Sequence, residues 1–184
     1  MYMLKHTKKI AVIYKSRYGS TKRYAEWIAR DVHGDLFESS KIKIKDLVKY
    51  DVIVFGGSLH AIGINGVKLI TNNFGQFKDK EIIVFATGCS PVKEEAITAV
   101  IESNFNIDIK ESIKFFYLRG AFNYSKLNFI DKMMMAALKR KLNTKKQEDL
   151  DEDSKGLLAA YNNPVDWTDE KAIIPLVDAI NGIK

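Results

Sequence analysis

Cysteine is scarce in this sequence: Cys89 is the only one among 184 residues. A single cysteine excludes a disulfide within the chain and any metal site built from several thiolates, and it suits a reducing cytoplasm. The sequence also lacks an apolar run approaching the roughly 20 residues of a spanning helix, and its N-terminal segment lacks the features of a secretory signal. We therefore expect no metal, and a cytoplasmic protein that is soluble or at most peripheral at the inner face of the cell membrane.

The apolar content is sufficient for one packed domain. Hydrophobic residues make up 46% of the chain, and a chain of this length buries one sizeable core but is short for two. No internal repeat or low-complexity linker divides the sequence. We therefore expect a single domain over residues 1–184, with residues 143–165 as the one long region that the patterns leave unassigned.

Positive charge is concentrated in one short segment. The formal net charge is +6; residues 126–146 hold seven Lys or Arg and one acid, whereas residues 147–184 hold three basic and nine acidic residues. A basic segment of this size could meet an anionic membrane, an acidic protein or nucleic acid. The alternative is a solvated helix face neutralised by the acidic run 148–153. Nucleic acid is disfavoured because the segment lacks interleaved aromatic side chains beyond Tyr124 and Phe129.

Short apolar runs alternate with helical patterns along the chain. The runs typical of buried strands lie at 8–14, 35–40, 51–58, 81–88 and 112–122. Helical spacing follows a loop at 15–21 and recurs at 66–77, 91–104 and 127–143. A last helix is predicted to start near Thr168, whose hydroxyl can cap its first turn. This alternation predicts an α/β fold in which helices cover both faces of a parallel sheet.

Ligands of open parallel sheets bind beyond the carboxyl ends of the strands. That rule selects the loops at 15–21, 57–65 and 87–91 and the segment after residue 118. The first of these loops holds the Ser16, Ser20 and Thr21 hydroxyls and one glycine, where a helix begins. Hydroxyls and unpaired backbone N–H groups at a helix start form a cradle for a phosphate without a metal. An ordinary capped helix start is the alternative.

The spacing of the first loop fits neither of two common nucleotide motifs. It matches neither GxxxxGK[ST] nor GxGxxG, which argues against nucleoside triphosphates and NAD. The pattern S-x-x-G-x-T after a first strand instead resembles the phosphate loop of the flavodoxin-like fold, which binds the monophosphate of FMN. GGSLHAIG at 56–63 and ATGCSP at 86–91 resemble the second and third loops of that fold, which flank the isoalloxazine ring.

The resemblance implies a three-layer, doubly wound flavodoxin-like fold with a five-stranded parallel sheet in the order 2-1-3-4-5, and FMN bound noncovalently. It also implies the residues that contact FMN. These are Ser16, Arg17, Tyr18, Gly19, Ser20 and Thr21 in the first loop, Ser58, Leu59, His60, Ala61, Ile62 and Gly63 in the second, and Thr87, Gly88, Cys89 and Ser90 in the third. Gly56, Gly57 and Gly63 would allow close approach or unusual backbone angles, and Cys89 would pack beside the ring as a small residue.

A narrower resemblance involves the second half of the chain. The segments RGAFNYSKLNFIDKMMMAALKRKL at 119–142 and VDWTDEKAIIPLVDAI at 165–180 resemble the flavodoxin-like protoporphyrinogen oxidase family of the menaquinone-dependent type. This implies that hydrogen passes from a porphyrinogen substrate to FMN and then to a quinone or other acceptor. The alternative is a flavodoxin that shuttles electrons between redox proteins. The positive net charge favours an electron-accepting oxidoreductase, because nearby cations stabilise a reduced, anionic flavin.

Few side chains are candidates for direct roles in the reaction. His60 could hydrogen-bond the flavin or relay protons near neutral pH, although a loop histidine is more often simply solvated. Arg119, Tyr124 and Lys126 are candidates for contacting acidic groups of the substrate. The oligomeric state is not indicated by any pattern.

The segment 127–143 has two interpretations. Its apolar stripe can face the core while Lys132 and Lys139 point outward, which is the favoured interpretation. The stripe consists of Leu127, Ile130, Met133, Met134, Ala137 and Leu138. The alternative is a methionine-rich surface for a porphyrin, a quinone, a membrane or a second subunit; in the resembled family, an extension here is linked to substrate access and the membrane acceptor.

Overall fold

The computed structural model describes residues 8–91 and 93–182, apart from the side chain of Gln147. Residues 1–7 and 183–184 of the predicted domain and Val92 of the predicted helix 91–104 lie outside the described residues.

A five-stranded parallel sheet forms the centre of the fold. Its strands are β1 (Ile10–Lys15), β2 (Asp35–Glu38), β3 (Val52–His60), β5 (Glu81–Gly88) and β6 (Ile113–Arg119). They are arranged β2-β1-β3-β5-β6, and the short strand β4 (Gly63–Ile64) pairs antiparallel with β3. Counting the parallel strands alone, this is the predicted order 2-1-3-4-5. The predicted doubly wound fold is therefore confirmed.

Seven helices surround the sheet in the described residues. They are α1 (Ser20–Asp31), α2 (Lys68–Thr71), α3 (Glu94–Asn104), α4 (Ile107–Ser112), α5 (Phe129–Asn143), α6 (Glu152–Ala160) and α7 (Ile174–Asn181). None of them combines the length and the apolar composition needed to cross a bilayer. A second, two-stranded antiparallel sheet pairs β7 (Ala121–Phe122) with β8 (Val165–Asp166).

Two hydrophobic clusters cover the two faces of the sheet, because successive side chains of a strand point to opposite faces. On one face, Ile53 and Phe55 of β3 pack in a cluster with Ile70 of α2 and Val100 of α3. On the other face, Val52 and Val54 of β3 belong to a cluster with residues of α1 and α7, such as Ile28 and Leu176. This packing fixes the layers and places the carboxyl ends of β1, β3 and β5 side by side.

Three predicted elements differ from the structure. The predicted helix 66–77 is only the single turn α2 followed by a 3₁₀ turn, Phe74–Phe77, that contains Gly75. The predicted strand 112–122 ends at Arg119, and the chain continues after Gly120 as β7 in the second sheet. The Thr168 hydroxyl donates to Asp166 instead of capping a helix, and the last helix, α7, begins six residues later.

The favoured interpretation of segment 127–143 is wrong. Helix α5 exposes Ile130, Met133, Met134 and Leu138, and its buried residues are Asp131 and Leu142. Lys132 and Lys139 are partly buried and do not point outward as predicted. Helix α5 turns its apolar side outward because polar contacts of Asp131 position its first turn, as described below.

The acidic run neutralises little of the basic segment. Asp151 and Asp153 pair with Lys93 in the loop before α3, at 3.4 and 2.9 Å. Within the described residues, the one basic residue of segment 126–146 that pairs with a carboxylate is Lys146, 3.7 Å from Glu148. The positive charge along α5 is therefore available to a partner.

Candidate functional site

The three predicted loops meet at the carboxyl edge of the sheet and border two adjoining cavities. The smaller cavity, of about 200 Å³, is lined by Ser20 and Thr21 of the first loop, by Ser58 and Leu59 of the second, and by residues 87–90 of the third. The larger cavity, of about 390 Å³, extends from the same loops to α5 and to the β7–β8 pair. Both cavities share Tyr18, Ser58, Leu59, Ala61, Cys89 and Ala121.

The first loop presents free donors at the start of α1. Gly19 occupies the N-cap position with a φ of 102°, a conformation that favours glycine, and its N–H donates to Ser16 Oγ at 3.1 Å. The N–H groups of Ser20, Thr21 and Lys22 have no acceptor among the described residues. Because the positive end of the helix dipole lies at the same place, this loop can bind an anion.

Each hydroxyl of the first loop also has a protein partner. Ser20 Oγ accepts from the N–H of Ala121 at 2.9 Å, and Ser16 Oγ accepts from Gly19. An accepting hydroxyl keeps its own proton free to donate, so both serines can still contact a ligand. The Thr21 hydroxyl is different, because it is buried and lies 2.6 Å from the hydroxyl of Thr87. Thr21 therefore ties the first loop to the third.

The second loop is a hairpin. Strand β3 continues to His60 and turns back as β4, with Ala61 at a φ of 54°. Asn104 of α3 holds the turn, since its amide donates to Ile62 O at 2.7 Å and accepts from the Ile64 N–H at 2.8 Å. Asn104 was missed by sequence reasoning, because a residue at the end of a distant helix carries no local signal for this loop.

Two glycines of the second loop allow close approach, as expected, but of protein side chains and without unusual backbone angles. A Cβ on Gly56 would lie 2.1 Å from the ring of Phe85, and one on Gly57 would lie 2.4 Å from Ile64 Cγ2. Neither they nor Gly63 has a positive φ. Gly56 and Gly57 therefore allow the hairpin and a buried aromatic ring to pack closely. Among the described residues, Ser58 Oγ is the one buried side-chain oxygen or nitrogen without a hydrogen-bond partner.

The third loop is fixed by β6 and the residue that follows it. The carbonyl of Gly88 accepts from the Gly120 N–H at 2.7 Å, and that of Ser90 accepts from the Tyr117 hydroxyl at 2.9 Å. Burial raises the pKa of the Cys89 thiol to about 11. At neutral pH Cys89 is therefore a protonated, partly buried small side chain, and not a nucleophile.

A buried carboxylate joins α5 to the first two loops. Asp131 is 6% exposed; its Oδ1 lies 3.2 Å from Arg17 Nη1 and 3.1 Å from His60 Nε2, and its Oδ2 accepts from the Tyr18 hydroxyl. Burial and the hydrogen bond to Asp131 raise the pKa of Tyr18, which keeps its hydroxyl protonated as a donor. Asn128 caps the helix by accepting from the Asp131 N–H at 2.9 Å.

Asp131 was not among the predicted site residues, although a signal was present. It is the single acid in the basic segment 126–146. A lone carboxylate placed among lysines, next to an apolar stripe, could have indicated an ion pair that positions the helix. Its partners on the two loops are distant in sequence and could not have been identified.

The remaining predicted candidates do not form one group. His60 and Lys126 line the cavity of about 390 Å³. Arg119 lines a separate cavity, where its guanidinium lies 4.2 Å from the ring centroid of Trp167. Tyr124 packs against Tyr161, with ring centroids 5.1 Å apart, and its hydroxyl reaches Lys132 O at 3.5 Å. A single acidic substrate group cannot contact Arg119, Tyr124 and Lys126 together in this arrangement.

Comparisons with solved structures find similar proteins at low identity. The Trp repressor binding protein of Bacillus subtilis is 20% identical, with 61% of this chain and 83% of that chain covered and a TM-score of 0.46. A flavoprotein of Lactobacillus acidophilus in complex with FMN is 19% identical, with 61% and 92% covered and a TM-score of 0.43. Similarity at this level does not identify the ligand of this chain. Comparison with curated proteins finds no match.

A match to a family model is more extensive. A model described as a flavodoxin domain matches residues 11–151, about three quarters of the chain. The matched region contains the five parallel strands apart from Ile10 of β1, together with the three loops and α5. The chain therefore belongs to the flavodoxin domain family.

Proposed function

We propose that this protein binds FMN at the carboxyl edge of the sheet and acts as an FMN-dependent oxidoreductase resembling protoporphyrinogen oxidase. The observation that carries the proposal is the convergence of the three loops on two adjoining cavities. The free N–H groups at the start of α1 fit a phosphate. The unpartnered, buried Ser58 Oγ fits a ligand that brings its own polar atoms.

The protein's contribution is position and shielding. FMN, when bound, supplies the redox chemistry. The residues of the first loop hold the phosphate, Ser58 and the backbone of residues 87–90 orient the ring, and Leu59 and Tyr117 limit the access of water. A cavity of about 390 Å³ next to these loops has a volume typical of ligand sites, about 300–1,000 Å³. This cavity favours a small-molecule substrate, the porphyrinogen class of the resembled family, over a protein partner alone.

Of the three cations Arg17, Lys22 and Arg119, the first two are paired with acids. Arg17 is paired with Asp131, and Lys22 lies 3.7 Å from Glu26. No carboxylate of the described residues pairs with Arg119, which donates to the carbonyl of Cys89 at 3.3 Å. Arg119, near the third loop, would stabilise negative charge on a reduced ring as long as no other anion is paired with it.

Flavin titration tests the binding step. FMN should bind at least about tenfold more tightly than riboflavin, because only FMN carries the phosphate that the start of α1 would hold. Ser58→Ala should weaken FMN binding about five- to tenfold, the value of one hydrogen bond. The variant should keep the thermal stability of the wild type, because Ser58 Oγ has no protein partner to lose. Ser40→Ala, at an exposed position outside the loops, is the matched control.

Anaerobic mixing with protoporphyrinogen tests the reaction. An oxidase should lose its flavin absorbance on mixing, whereas an electron-shuttling flavodoxin, the second candidate, should respond only to redox protein partners. A colourless protein that cannot be reconstituted with FMN would contradict both candidates.

We further propose that α5 contacts an anionic membrane, where a quinone acceptor would be available. Phe129, Ile130 and Met133 are 77%, 61% and 59% exposed, and no basic residue of α5 itself pairs with a carboxylate of the described residues. Apolar side chains flanked by cations are typical of a helix that lies in a membrane interface. Salt-sensitive cosedimentation with vesicles containing phosphatidylserine, reduced in Phe129→Ser, would support this contact. Equal binding to neutral vesicles, or none, would contradict it.

A further inference from the structure

A third cavity lies beside the loops, between the loop before α3, helix α5 and helix α6. Its volume is about 410 Å³. Apolar side chains form much of its wall, namely Met135, Leu138, Leu142, Leu157 and Trp167. A cavity of this volume is large enough for a small ligand.

Arg119 supplies an uncommitted, fixed cation to this cavity. Its Nε donates to Cys89 O at 3.3 Å, and its guanidinium lies over the Trp167 ring at 4.2 Å from the centroid. The two terminal nitrogens have no acceptor among the described residues, and no described carboxylate forms an ion pair with them. An arginine held by stacking and by one backbone bond keeps its bidentate edge in a defined position.

The other charges of the cavity are already paired. Lys93 lies 2.9 Å from Asp153 and 3.4 Å from Asp151, and Asp151 also caps α6 by accepting from the Ser154 N–H at 2.8 Å. These two carboxylates are therefore satisfied without Arg119. A partly buried guanidinium without an anionic partner, facing apolar walls, is suited to an anion that arrives with an apolar body.

We propose that this cavity binds an apolar molecule bearing a carboxylate. The carboxylate pairs with the free edge of Arg119, and the apolar part packs against Met135, Leu138 and Leu142. Because the arginine is already fixed, binding requires little further ordering of its side chain. Cys89 and Met135 line both this cavity and the one of about 390 Å³, so the ligand would lie next to the proposed redox site. The proposal does not depend on FMN.

Tryptophan fluorescence provides a direct measurement. The chain contains two tryptophans, Trp27 and Trp167, so the variant Trp27→Phe leaves Trp167, in the cavity wall, as the only reporter. We would titrate this variant with 4-phenylbutyrate and with its neutral amide. The carboxylate should change the emission saturably and bind about 10- to 100-fold more tightly than the amide, as expected for charge-assisted hydrogen bonds.

Two further variants separate recognition from a purely structural role of Arg119. Arg119→Met in the Trp27→Phe background should bind both probes with equal, weak affinity. Leu138→Phe, which fills the apolar part and retains the arginine, should weaken both probes together. Binding of the carboxylate and the amide with equal affinity by Trp27→Phe itself, or no binding of either, would overturn the proposal.

The measurement also separates this proposal from the proposed function. Loss of FMN binding with the carboxylate preference intact would count against the flavin site alone. Normal FMN binding without a carboxylate preference would count against this cavity alone. Thermal unfolding of each variant shows whether it is folded under the conditions of the titration.

Discussion

Apolar side chains are buried in the central sheet but exposed on helix α5. Val54, Phe55 and Phe85 in strands β3 and β5 are fully buried, whereas Phe129 at the start of α5 is 77% exposed. In α5 it is a carboxylate, that of Asp131, which lies inside. Burial of apolar area therefore explains the position of the sheet but not that of α5.

The difference shows that α5 belongs to the site and not to the core. Its first turn is held by Asp131 through Arg17, Tyr18 and His60, and further along the Tyr161 hydroxyl donates to Met135 O. Polar contacts of this kind are directional and specify one arrangement. They position the helix as a wall of two cavities while its apolar side remains available.

The largest expected effect contrasts two phenylalanines. Phe85→Ala should lower the free energy of unfolding by about 3–5 kcal/mol, because it leaves a cavity in the core next to Gly56. Phe129→Ala should change it by no more than about 0.5 kcal/mol, because the side chain is already exposed. Urea unfolding followed by circular dichroism measures both. Similar losses in the two variants would mean that α5 packs through Phe129 and that the comparison is wrong.

Asp131→Ala should have the next largest effect, and it should be local. Removal of the carboxylate leaves Arg17, Tyr18 and His60 without their acceptor, which we expect to cost about 2–3 kcal/mol in the docking of α5. Hydrogen exchange should then become faster in residues 129–143 and stay unchanged in β3 and β5. Asp149→Asn, at an exposed acid beyond the helix, is the control. Equal exchange throughout α5 in wild type and variant would show that another contact positions the helix.

The sheet could be predicted because its strands follow simple patterns. The run 81–88 coincides with β5, and three of the loops identified from the strand ends do meet in the structure. Local patterns could not predict that α5 exposes its apolar stripe, because an exposed stripe and a buried one have the same spacing. What decides between them is the contact of Asp131 with residues more than 70 positions away. The separation of Arg119 from Tyr124 and Lys126 could not be predicted either, because Arg119 ends β6 whereas the other two lie in a later 3₁₀ turn, Tyr124–Lys126.

A double-mutant cycle tests the tie between the first and third loops. Thr21→Val or Thr87→Val alone should cost about 1–2 kcal/mol, because each leaves the other buried hydroxyl without a partner. The double variant should cost clearly less than the sum of the two, because both polar groups are then replaced by methyl groups. Additive losses would show that the two hydroxyls do not depend on each other. A Thr21 variant would therefore change both the stability of the protein and its binding of a ligand at the phosphate loop. A loss of ligand binding in such a variant has to be compared with its loss of stability.

The smallest effect concerns charge at the rim of the sheet. Partial burial raises the pKa of Glu81, but ion pairs with Lys114 at 2.7 Å and Lys8 at 2.9 Å outweigh burial and hold this pKa below its usual value of 4.5. The unfolded chain therefore binds the proton more readily, so the carboxylate stabilises the fold above pH 4.5 and loses this contribution as the pH falls through the lower, folded pKa. Because the side chain is partly exposed and solvent screens the two ion pairs, Glu81→Gln should cost about 1 kcal/mol or less at pH 7, and the difference from wild type should disappear in acid.

Urea unfolding of wild type and Glu81→Gln at pH 7 and at pH 3 measures this difference, and Lys114→Met should reproduce part of it by removing one cation. A loss at pH 3 as large as at pH 7 would mean that the glutamate acts through packing and not through its charge. In that case, burial would not explain the difference between the Glu81 and Asp131 carboxylates. A partly exposed rim carboxylate and a buried carboxylate enclosed by three donors should differ because solvent screens the first more than the second.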